Sequence, residues 1–295
     1  MFSDRKVLFI FADLAGHFEA FQKLLLKAPK GALIIVLGDV NDKGPDSAQI
    51  IAFLISRPDI IWIMGNHEQM MIKCYEQAMG DMSSAKKFDP FMWLYVSGGL
   101  TTLKSYGIDV KMPKVYDDRE LTCYEFKKHY HRLFKAQMSY EINELKNSDE
   151  VLYSISQISK LPKDHIEHMK KLPVFFTNDD LFCSHAPLLQ ENIPQFLSIS
   201  AMDQNEEILD KGVLWNTKVP KRIRSDKKFA VYGHMNMKQV YCHTPSTAKG
   251  TYSKDNTILP NTFAVCFDLT SEASLLGALE WPAKVIHLES VKWED

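Results

Sequence analysis

Apolar runs of strand length alternate with helical spacing through the first third of the chain. Val7–Phe11, Leu33–Leu37 and Ile60–Met64 are continuous apolar runs. A run without alternation fits a strand buried on both faces. Phe18, Phe21, Leu24 and Leu25 recur at helical spacing, which predicts a helix over 18–27. Further helices are expected over 47–56, with Asp46 as N-cap, and over 68–79, where Glu68 suits the positive helix start. Strand and helix in repetition predict a parallel sheet with helices on its faces. Each run ends in a polar residue able to hold a metal: Asp13, Asp39 and Asn66. Parallel strands lie about 4.8 Å apart, and ligands gather at their carboxyl ends. Three such ends can therefore converge on one site.

The middle of the chain reads differently. Phe91–Tyr106 contains short helical stretches broken at Gly98-Gly99, and 119–158 is mixed in charge and mostly helical. One domain over 1–295 is expected, with a helical cap at about 80–172. Strands return at 174–177 and 181–184, joined by the hairpin-prone Asn178-Asp179-Asp180. Others are expected at 229–232, 240–242, 263–267, 275–279 and 285–288.

Composition narrows the options. The chain has 295 residues, with 35 Lys+Arg against 37 Asp+Glu. A net charge of −2 lacks the basic excess of a general nucleic-acid binder. Five scattered cysteines without a CxxC pair argue against a disulfide scaffold or a zinc ribbon. No run approaches the roughly 18 apolar residues of a membrane span, and no cleavable leader is legible. A cytoplasmic location with no membrane partner is the expectation.

The strand ends read Asp13-Leu-Ala-Gly-His17, Gly38-Asp-Val-Asn-Asp-Lys-Gly44 and Gly65-Asn-His-Glu68, followed later by Ser184-His185 and Tyr232-Gly-His234. This set resembles the calcineurin-like metallophosphoesterases, within them the phosphoprotein phosphatase superfamily and its bacterial and lambda-phage-type branch. Gly65-Asn-His-Glu-Gln-Met-Met71, the Trp93…Gly98-Gly99 segment and Val213-Leu-Trp-Asn216 are similar to that branch's landmarks. The resemblance runs from about Val7 to Leu288. It implies an α/β fold, a β-sandwich flanked by helices, carrying two divalent ions, Mn first with Fe or Zn as alternatives. Asp39 would bridge the ions, Asp13 would serve the first, and Asn66, His185 and His234 the second. A water activated by both metals would attack a phosphate monoester of a phosphorylated protein or peptide. His67 would protonate the leaving oxygen, with Asp42 holding it. Lys43, Asn66 and Arg222, the last from the basic stretch 218–228, are the candidate phosphate contacts.

The departures concentrate on one side. Ala15 stands where the family has a metal-ligating histidine, and Ala12 replaces a glycine. Lys43 and Thr217 replace two arginines, and a lysine is a point charge where arginine is a bidentate fork. His17, four residues past Asp13, is the candidate substitute ligand, with a surface or supporting role as the plainer reading. The first metal site is accordingly expected to be weak or empty. Ala15 is open to a natural or an engineered origin, although one engineered change would not explain the other departures. Three functions compete: a phosphatase, a weakened phosphoprotein-binding module, and a dinucleoside polyphosphate hydrolase.

Overall fold

The computed structural model describes residues 7–114, 122–188, 213–217, 227–244, 251–253, 255–262 and 264–292. Strands β1 (Leu8–Phe11), β2 (Leu33–Val36) and β3 (Ile60–Trp62) pair in parallel, as their apolar runs predict. The C-terminal hairpin β10 (Leu275–Trp281) and β11 (Val285–Ser290) joins them, β10 antiparallel to β1. The first sheet is therefore mixed, in the order β11-β10-β1-β2-β3. A second sheet runs β4-β5-β6-β9-β7-β8. Its strands are β4 (Phe175–Thr177), β5 (Leu181–Ser184), β6 (Phe229–Tyr232), β7 (Tyr241–His243), β8 (Thr251–Tyr252) and β9 (Ala264–Cys266).

Successive side chains of a strand point to opposite faces, and here both faces are covered. Phe9, Phe11, Ile34, Val36 and Trp62 enter one core, with Phe21 and Leu24 of α1 (Phe18–Leu25) and Ile50 and Leu54 of α2 (Ser47–Ile55). Phe11 and Phe21 meet edge to face at 4.8 Å. Leu8, Ile10, Leu33, Ile35 and Ile63 enter the other, against Cys183, Val231, Cys242 and Val265 of the second sheet. Helices thus cover only one face of the parallel strands, and the second sheet covers the other. The β-sandwich flanked by helices that the resemblance implies is what forms; the simpler strand–helix pattern, a sheet with helices on its faces, is corrected on one face, where the apolar late strands make a facing layer. Each fully buried Leu, Ile or Phe contributes about 1.5–3 kcal/mol, so the two-sided runs are what the sandwich requires.

Helix α3 (Asn66–Ala78) begins directly at the end of β3. A π-helical turn, Met92–Ser97, leads through Gly98 (φ 105°) into α4 (Gly99–Ser105). Gly98 is required here: a Cβ would stand 2.6 Å from the Lys43 backbone nitrogen. Helices α5 (Cys123–Lys135), α6 (Ser139–Lys146), α7 (Asp149–Gln157) and α8 (Lys163–Met169) follow. Phe126, Val151, Ile166 and Met169 share the buried cluster of α2 and α3, so among the described residues these helices have no separate core. Asp46 precedes α2 without capping it through its side chain; its Oδ2 accepts the Phe18 N–H of α1 at 3.4 Å. Cys74, Cys183, Cys242 and Cys266 are buried free thiols. Among the described residues no helix is long and apolar enough to cross a membrane.

Candidate metal centre

The carboxyl ends of strands from both sheets meet at one edge of the sandwich. Asp39, in the turn after β2, has φ 49°, a left-handed conformation that Asp and Asn tolerate better than most residues. Glu68 of α3 holds that turn. Its Oε2 accepts the N–H groups of Asp39 at 2.9 Å and Gly65 at 2.8 Å, and its Oε1 accepts that of Val40 at 2.7 Å. Glu68 is completely buried, so the helix-start role expected from sequence understates it. Glu68→Ala would leave these buried donors without a partner at about 1–3 kcal/mol each. A loss of at least about 3 kcal/mol is expected in denaturant unfolding, with Glu68→Gln costing less.

Asp39 Oδ1 accepts the His67 N–H at 3.0 Å and lies 3.3 Å from His185 Nε2. His185 follows β5 and is fully buried. Its Nδ1–H donates to the Leu37 carbonyl at 2.9 Å. The Nε2 lone pair of the neutral ring therefore faces inward. It meets Asn66 Oδ1 at 2.7 Å and His234 Nδ1 at 3.1 Å, while His234 Nδ1 meets Asn66 Oδ1 at 2.9 Å. Burial pulls the pKa of both imidazoles down; His234, further lowered by the neighbouring His185, falls to about 3. Two neutral rings, an amide oxygen and a carboxylate thus present acceptors to one point. One ligand atom from each of Asp39, His185 and His234 lies within 4.8 Å of the others. A cation resolves the crowding of acceptors, and the mixed nitrogen and oxygen donors suit a divalent transition metal. The backbone carbonyl that fixes the His185 tautomer is the usual support of a ligating histidine.

Asp13, after β1, is buried, and its Oδ1 accepts the His234 N–H at 3.0 Å. Gly233 makes this approach possible, since a Cβ there would stand 2.1 Å from that oxygen. Burial, Asp268 and Asp39 raise the Asp13 carboxyl well above the usual range. Ala15 sits beside it at φ 45°, 1% exposed. His17 is buried at the start of α1 rather than on the surface. Burial and Lys43 lower it to about 4, and it lies outside the Asp39, His185 and His234 group.

The His67 imidazole is held from its far side. Its Nδ1 meets Asp42 Oδ2 at 2.5 Å, leaving Nε2 3.6 Å from Asp39 Oδ2. Burial pulls the His67 pKa down, but Asp39 and Asp42 outweigh it and hold it above its ordinary value. Asp42 is fully buried and bound by two residues whose roles were not read from sequence. Trp93 Nε1 donates to Oδ2 at 3.0 Å and Thr102 Oγ1 to Oδ1 at 2.6 Å. Lys43 is half-buried, and its charge acts on Asp13, Asp39 and Asp268. Lys127 of the exposed α5 surface is lowered by partial burial and by Lys43, which places a second cation near the first. Val213–Asn216 docks beside His185: Ala186 N–H bonds Val213 O at 2.6 Å and Asn216 Nδ2 donates to Pro187 O at 2.5 Å. Arg222 lies outside the described residues.

Fold and site together define a two-sheet α/β sandwich with a cluster at its strand ends that could hold a divalent metal. Residues 7–259 match the model of the calcineurin-like phosphoesterases, and the chain belongs to that family. Over 87 residues it is 31% identical to serine/threonine-protein phosphatase 2 of Escherichia coli (strain K12), a match spanning 28% of this chain and 39% of that one. The chain therefore matches well under half the length of that relative. A metallophosphoesterase from Sphaerobacter thermophilus is similar in fold, with TM-score 0.51 and 11% identity, over 98% of this chain and 89% of the other. A candidate diadenosine tetraphosphatase gives TM-score 0.51 at 14% identity, covering 98% and 95%.

Proposed function

We propose that the chain is a metal-dependent phosphatase hydrolysing phosphate monoesters at a dinuclear site, with phosphorylated proteins or peptides as the substrate class. The observation carrying this reading is the His67–Asp42 dyad, buried and aimed past Asp39. Asp39, Asn66, His185 and His234 would hold one ion, with Asp39 shared and Asp13 on the other. Bound, the metals supply Lewis acidity, neutralising phosphoryl oxygens and activating the attacking water. Mn is the metal we favour, since mixed nitrogen and oxygen donors with carboxylates among them suit it. Asp39 and Asp42 favour the His67 imidazolium, which gives its Nδ1–H to Asp42, keeps a second proton at Nε2 and delivers that one to the leaving oxygen. Trp93 and Thr102 fix Asp42 so that the ring does not turn. Lys43 meets the phosphate as a point charge, Asn66 stands beside it, and Arg222 is the proposed third contact. The protein-phosphatase-like motifs around Gly65–Met71 favour this class over dinucleoside polyphosphates.

The competing reading, a phosphoprotein-binding module, draws on Ala15, Lys43 and Thr217. Turnover separates the two. Weak Mn-stimulated hydrolysis of an aryl phosphate is expected, rising at least about 10-fold in Ala15→His, the scale on which metal-site supports change activity. Histidine is among the residues that tolerate the left-handed backbone at this position. Background activity in Ala15→His with both metals bound would end the phosphatase reading.

A further inference from the structure

The metal-centre reading leaves the first position short of donors, because Ala15 offers none. The end of β9 lies where one is needed. β6 and β9 run parallel with Tyr232 opposite Cys266. His234 and Asp268, each two residues beyond that pair, therefore leave neighbouring strands at the same sheet edge. The junction is tied by Cys266 Sγ on Gly233 O at 3.4 Å and Met237 N–H on Asp268 O at 2.8 Å. Asp13, at the end of β1 in the facing sheet, already accepts the His234 N–H.

Asp268 is 1% exposed. Its Oδ1 accepts the Thr270 hydroxyl at 3.0 Å, but its Oδ2 is buried with no hydrogen-bond partner. Such an atom is rare and costly. Asp13, Asp39 and Asp268 are all buried and act on one another electrostatically. Three carboxylates in one dry place call for compensating positive charge.

We propose that Asp268 takes the ligand place left by Ala15, so that Asp13, Asp39 and Asp268 form an all-oxygen first metal position. It rests on the metal-centre reading given above. The chemistry separates the two positions: an all-carboxylate set suits Mn2+ or Mg2+, whereas Asn66, His185 and His234 suit a borderline ion.

The test is Mn binding by calorimetry and native mass spectrometry on the full chain, with melting followed with and without Mn. Wild type is expected to take up two ions. Asp268→Asn should keep one and bind the second at least about 10-fold more weakly. The metal-free variant should melt no lower than metal-free wild type, since it relieves carboxylate repulsion. Its Mn-induced rise should shrink, and adding Ala15→His should restore the second ion. A merely structural Asp268 would instead lower the metal-free melting temperature and leave both ions bound. Should Asp268→Asn not fold, the anomalous Mn positions in wild-type crystals decide: a first-site peak beyond bonding distance of Asp268 overturns the proposal. The phosphatase reading fails separately. An inactive chain that loses its second Mn on Asp268→Asn keeps this assignment and discards that activity, whereas an active Asp268→Asn with both ions does the reverse.

Discussion

Asp39→Asn is expected to reduce Mn-dependent phosphate release by more than about 100-fold while leaving the fold intact. Losing a group that merely orients a ligand typically costs 10–100-fold, and Asp39 is in direct reach of the proposed ions. It stands 3.3 Å from His185 Nε2 and shares the centre with Asp13. Asparagine keeps the shape, can accept the His67 N–H that Asp39 Oδ1 now accepts, and is at home at φ 49°. It removes the charge that would bridge two cations. Circular dichroism should therefore be unchanged while calorimetry records the loss of at least one Mn. A variant that binds both ions and turns over normally would show that Asp39 is not the bridge.

His67→Gln addresses the proton instead of the metal. General acid catalysis contributes about 10²–10⁴-fold, so the rate on an alkyl phosphate should fall by about that much. A nitrophenyl phosphate, whose leaving group needs little protonation, should lose far less. Mn stoichiometry should stay at the wild-type value, because the described hydrogen bonds that join Asn66, His185 and His234 do not involve the His67 ring. Equal losses on both substrates would remove His67 from the acid role. The dyad geometry sets a further condition: Nδ1 is held by Asp42 at 2.5 Å, so only Nε2 is free to serve.

Much of this centre was legible in sequence because of one regularity. Asp13, Asp39, Asn66 and His185 each close an apolar strand run, and parallel strands carry their ends to a common edge. Asp268 closes Ala264–Phe267 in the same way, yet it has no counterpart among the motifs that pointed to the site. Its relevance emerged only when the register placed it beside His234. Glu68 was read as a local helix feature, whereas its partners include Asp39 and Val40, 29 and 28 residues away. Trp93 and Thr102 reach Asp42 across 51 and 60 residues. Spacing along a chain cannot show such contacts. Which face of the first sheet the later strands would cover was hidden for a related reason. A run such as Val7–Phe11 has no alternation, so it does not tell that Phe9 faces helices and Ile10 faces strands. The short edge strand β8 and the antiparallel seat of β10 against β1 depend on pairing alone.

Metal-dependent hydrolysis is measured as phosphate release from an aryl phosphate by the chelator-stripped chain, titrated with Mn. No activity is expected without metal, with a saturable Mn-dependent rate, a higher rate in Ala15→His, and its loss in Asp39→Asn. A rate indifferent to chelator and to Asp39→Asn, or background turnover in Ala15→His with two ions bound, would contradict metal-dependent hydrolysis.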